Sequence, residues 1–234
     1  MSDLATYEID GRIATITIDD GKVNALSVPV LRAVHAALDR AERDRAVVVL
    51  TGRDRYFSAG FDLNVFAGGG EAVLEMLTLG ATLAERMLSF PTPIVAACTG
   101  HAPAAGAFLL LAADRRIGAD GPFQIGLNEV RIGLTVPWFA IELARQRLHP
   151  AHFDATVVNA TMYRPADAVG AGFLDRVVPA DRLRAASVEA AAALAELNPA
   201  AHAATKLRAR AGALRAMRTA IETELTPESL AASA

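Results

Sequence analysis

The sequence predicts an α/β fold, and three features carry that prediction. Short β-branched runs alternate with stretches whose apolar residues recur at helical spacing over most of the 234 residues. The run Ala-Val-Val-Val-Leu-Thr at 46–51 has no polar break, which suits a strand of a parallel sheet buried on both faces. No sequence repeat, low-complexity block or compositional linker interrupts the alternation.

The elements follow in order. Residues 5–9 and 12–18 form a strand pair, with Ile13, Thr15 and Thr17 alternating with Ala14, Ile16 and Ile18 after an Asp10-Gly11 turn. Ser27 stands where an N-cap belongs and Pro29 falls early in the next helix. That helix runs to about Glu42, with Leu31, Val34 and Leu38 on one face. The strand at 46–51 follows. Val73, Leu74, Leu77, Leu83, Met87 and Leu88 mark a second helix over 71–89, ended by Pro91 and Pro93. A buried strand at 94–98 leads past Gly100 to a third helix from near Ala104 to Ala112, then a strand at 114–118. Helices are expected near 137–148 and 150–159, a short strand at 173–178, and terminal helices at 181–197 and 199–224. Ala67-Gly68-Gly69-Gly70 reads as a mobile surface loop and 226–234 as a frayed end. One domain is expected, since a chain of this length buries roughly 70% of its unfolded surface, with a helical appendage at the C-terminus.

Composition narrows the function. The balance of 23 basic and 26 acidic residues, net −3, provides no basic stripe for a phosphate backbone, so nucleic acid is not an expected partner. Cys98, the single cysteine, has no partner for an internal disulfide, which suits a reducing, cytoplasmic compartment. Met1-Ser2-Asp3-Leu4 shows no basic n-region ahead of an apolar core, so no secretory signal is expected. Asp114, Pro91 and Pro93 break the longest apolar stretches, so no membrane span is expected. The common phosphate-loop signatures are absent. His149 and His152 are separated by Pro150 and lack a Cys or acidic cluster, so no metal site is expected. Cys98, inside an apolar strand, reads as an inert buried thiol.

Three segments could carry chemistry. Tyr56-Phe57-Ser58-Ala59-Gly60-Phe61-Asp62-Leu63 follows a strand, and Ala59-Gly60 is small enough for a ligand to approach the backbone. On spacing alone it reads more readily as an ordinary turn capped by Asp62. Gly100-His101-Ala102-Pro103-Ala104-Ala105-Gly106-Ala107-Phe108 delivers a strand to a helix start lined by very small residues. Free N–H groups there attract negative charge, although close helix–sheet packing selects the same residues. Ile125 to Pro137 is a loop with Glu129 as a carboxylate among apolar neighbours; a loop glutamate is ordinarily solvated.

Taken together, Phe-Ser-Ala-Gly-Phe-Asp-Leu, Gly-His-Ala-Pro-Ala-Ala-Gly-Ala and Gly-Leu-Asn-Glu closely resemble the crotonase family, which includes enoyl-CoA hydratases and isomerases. The likeness runs from the opening strands through Asn24-Ala25-Leu26 to Phe173-Leu174-Asp175-Arg176-Val177-Val178. It implies a spiral of ββα units over 1–180, and a helical region over 181–234 that builds a homotrimer or hexamer. It implies an acyl-CoA substrate and no separate cofactor, coenzyme A being part of the substrate. It also implies an oxyanion hole of two peptide N–H groups, at Phe61 and Ala105. Such donors stabilise an enolate oxygen without reorganising, one typically contributing about 3 kcal/mol. Relatives commonly have a small residue at the Phe61 position, but a backbone donor survives a side-chain change.

The sequence departs from the hydratase pattern at Phe108, the position matching a hydratase glutamate, and retains only the second acid, Glu129. This arrangement resembles the Δ3,Δ2-enoyl-CoA isomerases most. A single carboxylate can remove a proton at C2 and return it at C4 if it reaches both on one face. The expected substrate-binding set adds Ala25, Leu26, Ala59, Gly60, Asp62, Leu63, Phe108 and Trp138. Lys206 resembles a C-terminal lysine that approaches the CoA phosphates in relatives, and Asp114 a structural acid with no chemistry. The alternatives are hydration by a one-glutamate variant, other enolate chemistry such as thioester hydrolysis or decarboxylation, and a catalytically silent acyl-CoA binder or scaffold.

Overall fold

A computed structural model describes residues 4–232. Met1, Ser2 and Asp3, on which much of the reading against a secretory signal rests, lie outside the described residues, as do Ser233 and Ala234. The chain opens with β1 (Ala5–Asp10) and β2 (Ile13–Ile18), then β3 (Ala25–Leu26), α1 (Val28–Arg43), β4 (Val47–Thr51), β5 (Arg55–Tyr56) and β6 (Gly60–Phe61). α2 (Leu63–Gly68) and α3 (Gly70–Ser89) precede β7 (Ile94–Cys98), β8 (Gly100–Pro103), α4 (Ala105–Ala112), β9 (Arg115–Ala119) and β10 (Ile125–Gly126). Next come α5 (Trp138–Arg147), α6 (Pro150–Val157), α7 (Pro165–Ala171) and β11 (Arg176–Val178). α8 (Leu183–Ala195), α9 (Pro199–Ala209), α10 (Ala211–Glu224) and α11 (Pro227–Ala232) close the described chain.

The main sheet has six strands in the order β1-β2-β4-β7-β9-β11, and every neighbouring pair after the β1-β2 hairpin is parallel. Its central strands are apolar without a break because both faces are covered. Val48, Leu50, Ile94 and Ala96 face the large core beneath α1, α3 and α4. Val47, Val49, Val95, Ala97 and Ile117 face the other way, against Leu183, Ala191 and Ala195 of α8. The helices beyond residue 181 therefore fold back onto the body: α8 covers one sheet face, while Leu214, Met217 and Ala220 of α10 enter the large core.

A second layer carries the site. β10, β8 and β5 form a three-stranded parallel sheet, and β3 pairs with β6. Each of these strands has only two to four residues. A long strand followed by a short one and a helix, repeated along the chain, is the spiral of ββα units that the resemblance implies.

Some local readings are corrected. Residues 67–70 are no loop: Gly69 and Gly70, with φ of +64° and +69°, break one helical stretch into α2 and α3. Ser27 occupies the N-cap position of α1, but its side chain makes no capping hydrogen bond, and Pro29 stands in the first turn as expected. The expected helix over 199–224 breaks at Arg210, whose guanidinium is drawn inward to the Leu88 carbonyl at 2.8 Å. Much of the expected frayed end is α11. Among the described residues no helix is long and apolar enough to cross a membrane.

Candidate active site

Asn24 organises the first segment. It is buried with φ +57°, in the left-handed region that asparagine tolerates. Its Nδ2 donates to the carbonyls of Ile18 at 2.7 Å, Tyr56 at 3.2 Å and Phe57 at 3.3 Å. Its own carbonyl accepts from Ser58 Oγ at 2.8 Å and from the Ala59 N–H at 3.3 Å. Ser58 Oγ in turn accepts the Gly60 N–H at 3.1 Å. With β3 paired to β6, Ala25 opposite Gly60 and Leu26 opposite Phe61, the backbone around Phe61 is fixed from both sides. Leu26 is buried in the core and acts as frame, whereas Leu63 is 57% exposed. Asp62 accepts from the Asn64 N–H at 3.0 Å and caps α2, as the ordinary-turn reading requires.

The second segment enters through β8. Ala104 has φ +48° and ψ −124°, a conformation that strains any residue with a Cβ and costs on the order of 1–3 kcal/mol. Its N–H donates to the Gly126 carbonyl at 2.9 Å. The strained turn starts α4 abruptly, so the Ala105 N–H stands at the helix start with no intrahelical partner one turn back.

The structure brings these two segments together. The His101 carbonyl accepts the N–H groups of Phe57 at 3.0 Å and Ser58 at 3.2 Å. A Cβ placed on Gly60 would lie 3.1 Å from the Pro103 carbonyl oxygen and 3.3 Å from the Ala105 nitrogen. Gly60 also has φ +86°, a conformation that side chains rarely adopt, and its neighbours leave little room for one. A Cβ on Gly106 would meet the Ser58 carbonyl oxygen at 2.5 Å, so close packing accounts for that glycine.

Glu129 arrives from the third segment. β10 runs parallel to β8, with Gly126 opposite Pro103, and the chain then turns so that Glu129 heads a 3-10 turn over Val130–Ile132. The Glu129 carbonyl accepts the N–H groups of Ile132 at 3.0 Å and Leu134 at 2.9 Å, which fixes its backbone. In contrast to a solvated loop residue, Glu129 is 6% exposed, and its Oε2 meets no donor among the described residues. Burial pushes its carboxyl up to about 7, against a small opposing effect of its own backbone N–H. An acid tuned to that range is suited to take and return protons near neutrality.

Phe108, on α4 three residues past Ala105, is 2% exposed and edge-on between Phe61 and Phe139, with ring centroids 6.4 and 5.6 Å away. Two expected contacts are corrected. Trp138 is 60% exposed at the start of α5, where its backbone N–H donates to Glu224, so within one chain its indole lines no enclosed pocket. Lys206 is buried, with Nζ 2.6 Å from Asp114 Oδ2, and Arg210 holds Asp114 Oδ1 at 2.8 Å. Its ammonium is committed to a structural ion pair and is not free for phosphates. Cys98 is buried and its thiol is pushed up to about 12 by burial. His149 caps α6 and His152 approaches the Tyr163 hydroxyl, which are structural tasks.

Ser58, Ala104 and Gly80 gave no signal of their own in the sequence. Ser58 acts through two hydrogen bonds that exist only after folding, and Ala104 through a backbone angle. A Cβ on Gly80 of α3 would lie 2.3 Å from the Phe61 ring.

Comparison with known proteins fits this geometry. The family described as enoyl-CoA hydratase/isomerase matches residues 8–229. A probable enoyl-CoA hydratase of Bacillus subtilis is 37% identical over 136 residues, 56% of this chain and 52% of that protein, so the chain spans about half the length of this curated relative. Among solved structures, an enoyl-CoA hydratase/isomerase family protein from Pseudomonas syringae is 50% identical with a TM-score of 0.94, covering 96% of this chain and 97% of that one. A Mycobacterium tuberculosis protein, described in one structure as an enoyl-CoA isomerase and in another as a probable enoyl-CoA hydratase, is 42% identical in both, with TM-scores of 0.92 and 0.95, covering 100% and 99% of this chain and 100% and 98% of that one.

Proposed function

The chain belongs to the enoyl-CoA hydratase/isomerase, or crotonase, family, and we propose that this member isomerises 3-enoyl-CoA to 2-trans-enoyl-CoA. In this reading the N–H groups of Phe61 and Ala105 hold the thioester oxygen. Glu129, as carboxylate, removes a proton from C2, and the electron pair is delocalised onto that oxygen as a dienolate. The protonated Glu129 then delivers its proton to C4, the double bond settles between C2 and C3, and the carboxylate is regenerated. Fixed donors stabilise the oxyanion without reorganising, each typically contributing about 3 kcal/mol.

One observation carries the choice of reaction. Glu129 offers a buried carboxyl, while at the position where a hydration mechanism would need a second acid α4 offers Phe108, wedged between aromatic rings. Adding water requires one group to deprotonate water and another to protonate carbon, whereas moving a double bond needs one proton taken and returned. Hydration is the second reading, favoured by the description of the Bacillus relative. The resemblance also supports a homotrimer or hexamer with acyl-CoA as its partner, and the single cysteine supports a cytoplasmic location.

The test is to incubate the protein separately with a 3-enoyl-CoA and a 2-enoyl-CoA and identify each product. Conversion of the first without hydration of the second is expected. Rapid hydration of the 2-enoyl-CoA overturns the isomerase assignment, and inertness toward both overturns enzymatic activity on this substrate class.

A further inference from the structure

We propose that the Phe61 side chain, seated on Gly80, is the chain-length selector of this site, closing the route between α3 and α4 and restricting the enzyme to short acyl chains. The inference rests on the acyl-CoA reading above and concerns a part of Phe61 that the reaction itself does not use: the backbone N–H serves the oxyanion, while the ring does something else.

The geometry has three parts. Phe61 lies in β6, and its ring reaches so close to α3 that a Cβ on Gly80 would stand 2.3 and 2.4 Å from two ring carbons. No side chain fits at Gly80 unless the ring moves. A glycine inside a long helix is disfavoured relative to alanine, and here it is the seat of the ring. The same ring stands 6.4 Å from that of Phe108, at 66° between ring planes, and Phe108 meets Phe139 at 5.6 Å and 80°. Phe61, Phe108 and Phe139 thus form a continuous aromatic wall from α3 across α4 to α5.

That wall stands beside the reacting carbons. Phe108 is three residues past Ala105 on the same helix, so the two share a face, and side chains on a helix lean toward its N-terminus. On the acyl-CoA reading, a thioester oxygen held by the N–H groups of Phe61 and Ala105 has the rings of Phe61 and Phe108 beside it, and the proposal is that the acyl carbons run past them. Interlocked edge-on rings do not part for a methylene chain without losing their mutual contacts.

The experiment compares turnover of 3-hexenoyl-CoA and 3-dodecenoyl-CoA by the wild type and by Phe61→Ala, Phe61→Leu and Gly80→Ala. The ratio of kcat/KM values is measured within one preparation, so it is independent of the fraction that folds. The wild type should favour the shorter substrate. Phe61→Ala should shift the ratio toward the longer one by at least about tenfold, or 1.4 kcal/mol, with Phe61→Leu intermediate. Gly80→Ala, whose methyl would lie 2.3 Å from the ring and must displace it, should change the same ratio without touching the Phe61 N–H. An unchanged ratio in both Phe61 variants overturns the selector role while leaving the isomerase reading intact. Failure of the wild type to convert either substrate overturns the reading on which it rests.

Discussion

Lys206 donates its ammonium to Asp114 Oδ2 across 2.6 Å and so pins α9 to the junction between α4 and β9. The same carboxylate accepts the Ile94 N–H at 2.7 Å and the Arg210 guanidinium at 2.8 Å. Asp114 thereby ties a central strand to the C-terminal helices, and burial draws Lys206 down to about 8 in spite of its partner. Lys206→Met should destabilise the protein by about 3–5 kcal/mol, or somewhat less where Arg210 compensates, because it leaves a buried carboxylate short of a cation. Urea unfolding measures this. A variant that unfolds like the wild type but binds acyl-CoA weakly would return Lys206 to the phosphate role.

Glu129→Gln should lower isomerase activity by at least about 10²-fold while leaving acyl-CoA affinity nearly unchanged, since the amide keeps the shape and loses the base. Isothermal titration beside a turnover assay separates the two. Activity within tenfold of wild type removes Glu129 from the reaction.

The raised Glu129 carboxyl also sets a pH dependence. Its ordinary value near 4.5 becomes about 7 in the folded chain, so between these values the folded state binds more protons than the unfolded state. Stability from this group is full below about pH 4.5 and falls as pH rises through 7, with a total change on the order of 3 kcal/mol. Glu129→Gln should therefore melt above the wild type at pH 8 and close to it at pH 4. In the wild type, kcat/KM should rise through about pH 7 as the base ionises, and a flat profile from pH 5 to 8 would contradict this.

Ala104→Gly should stabilise the chain. Glycine adopts the positive φ without strain, which relieves about 1–3 kcal/mol, while the greater freedom of glycine in the unfolded chain returns roughly 0.5–1 kcal/mol. A net gain of about 1 kcal/mol raises the melting temperature by about 2–4 °C. A lower melting temperature would mean that the Ala104 methyl contributes more in packing than its backbone angle costs.

Phe108→Glu should lower stability, because it places a carboxyl in a wall of aromatic rings with no donor provided for it. Weak hydration of 2-enoyl-CoA is expected from whatever fraction folds. Calorimetry with a hydration assay tests both, and strong hydration by the unaltered protein would show that one acid suffices.

The central strands were legible because a strand buried on both faces must be apolar throughout, and Val47 to Thr51 and Ile94 to Cys98 can be read as strands for that reason alone. The long helices α1 and α3 were legible because one face meets the core at helical spacing. The motifs around Gly60, Ala105 and Glu129 placed the family and the candidate site, because small residues and an acid at those separations are a pattern in one dimension. Tertiary structure alone decided the rest. β5, β6 and β10 have two residues each, too few for any period, yet they set Gly60 against Ala105 and Gly126 opposite Pro103. Lys206 belongs to Asp114, 92 residues away, and no local pattern separates a lysine buried in an ion pair from one in water. The tuning of Glu129 likewise depends on burial, which the fold supplies and the loop sequence does not record.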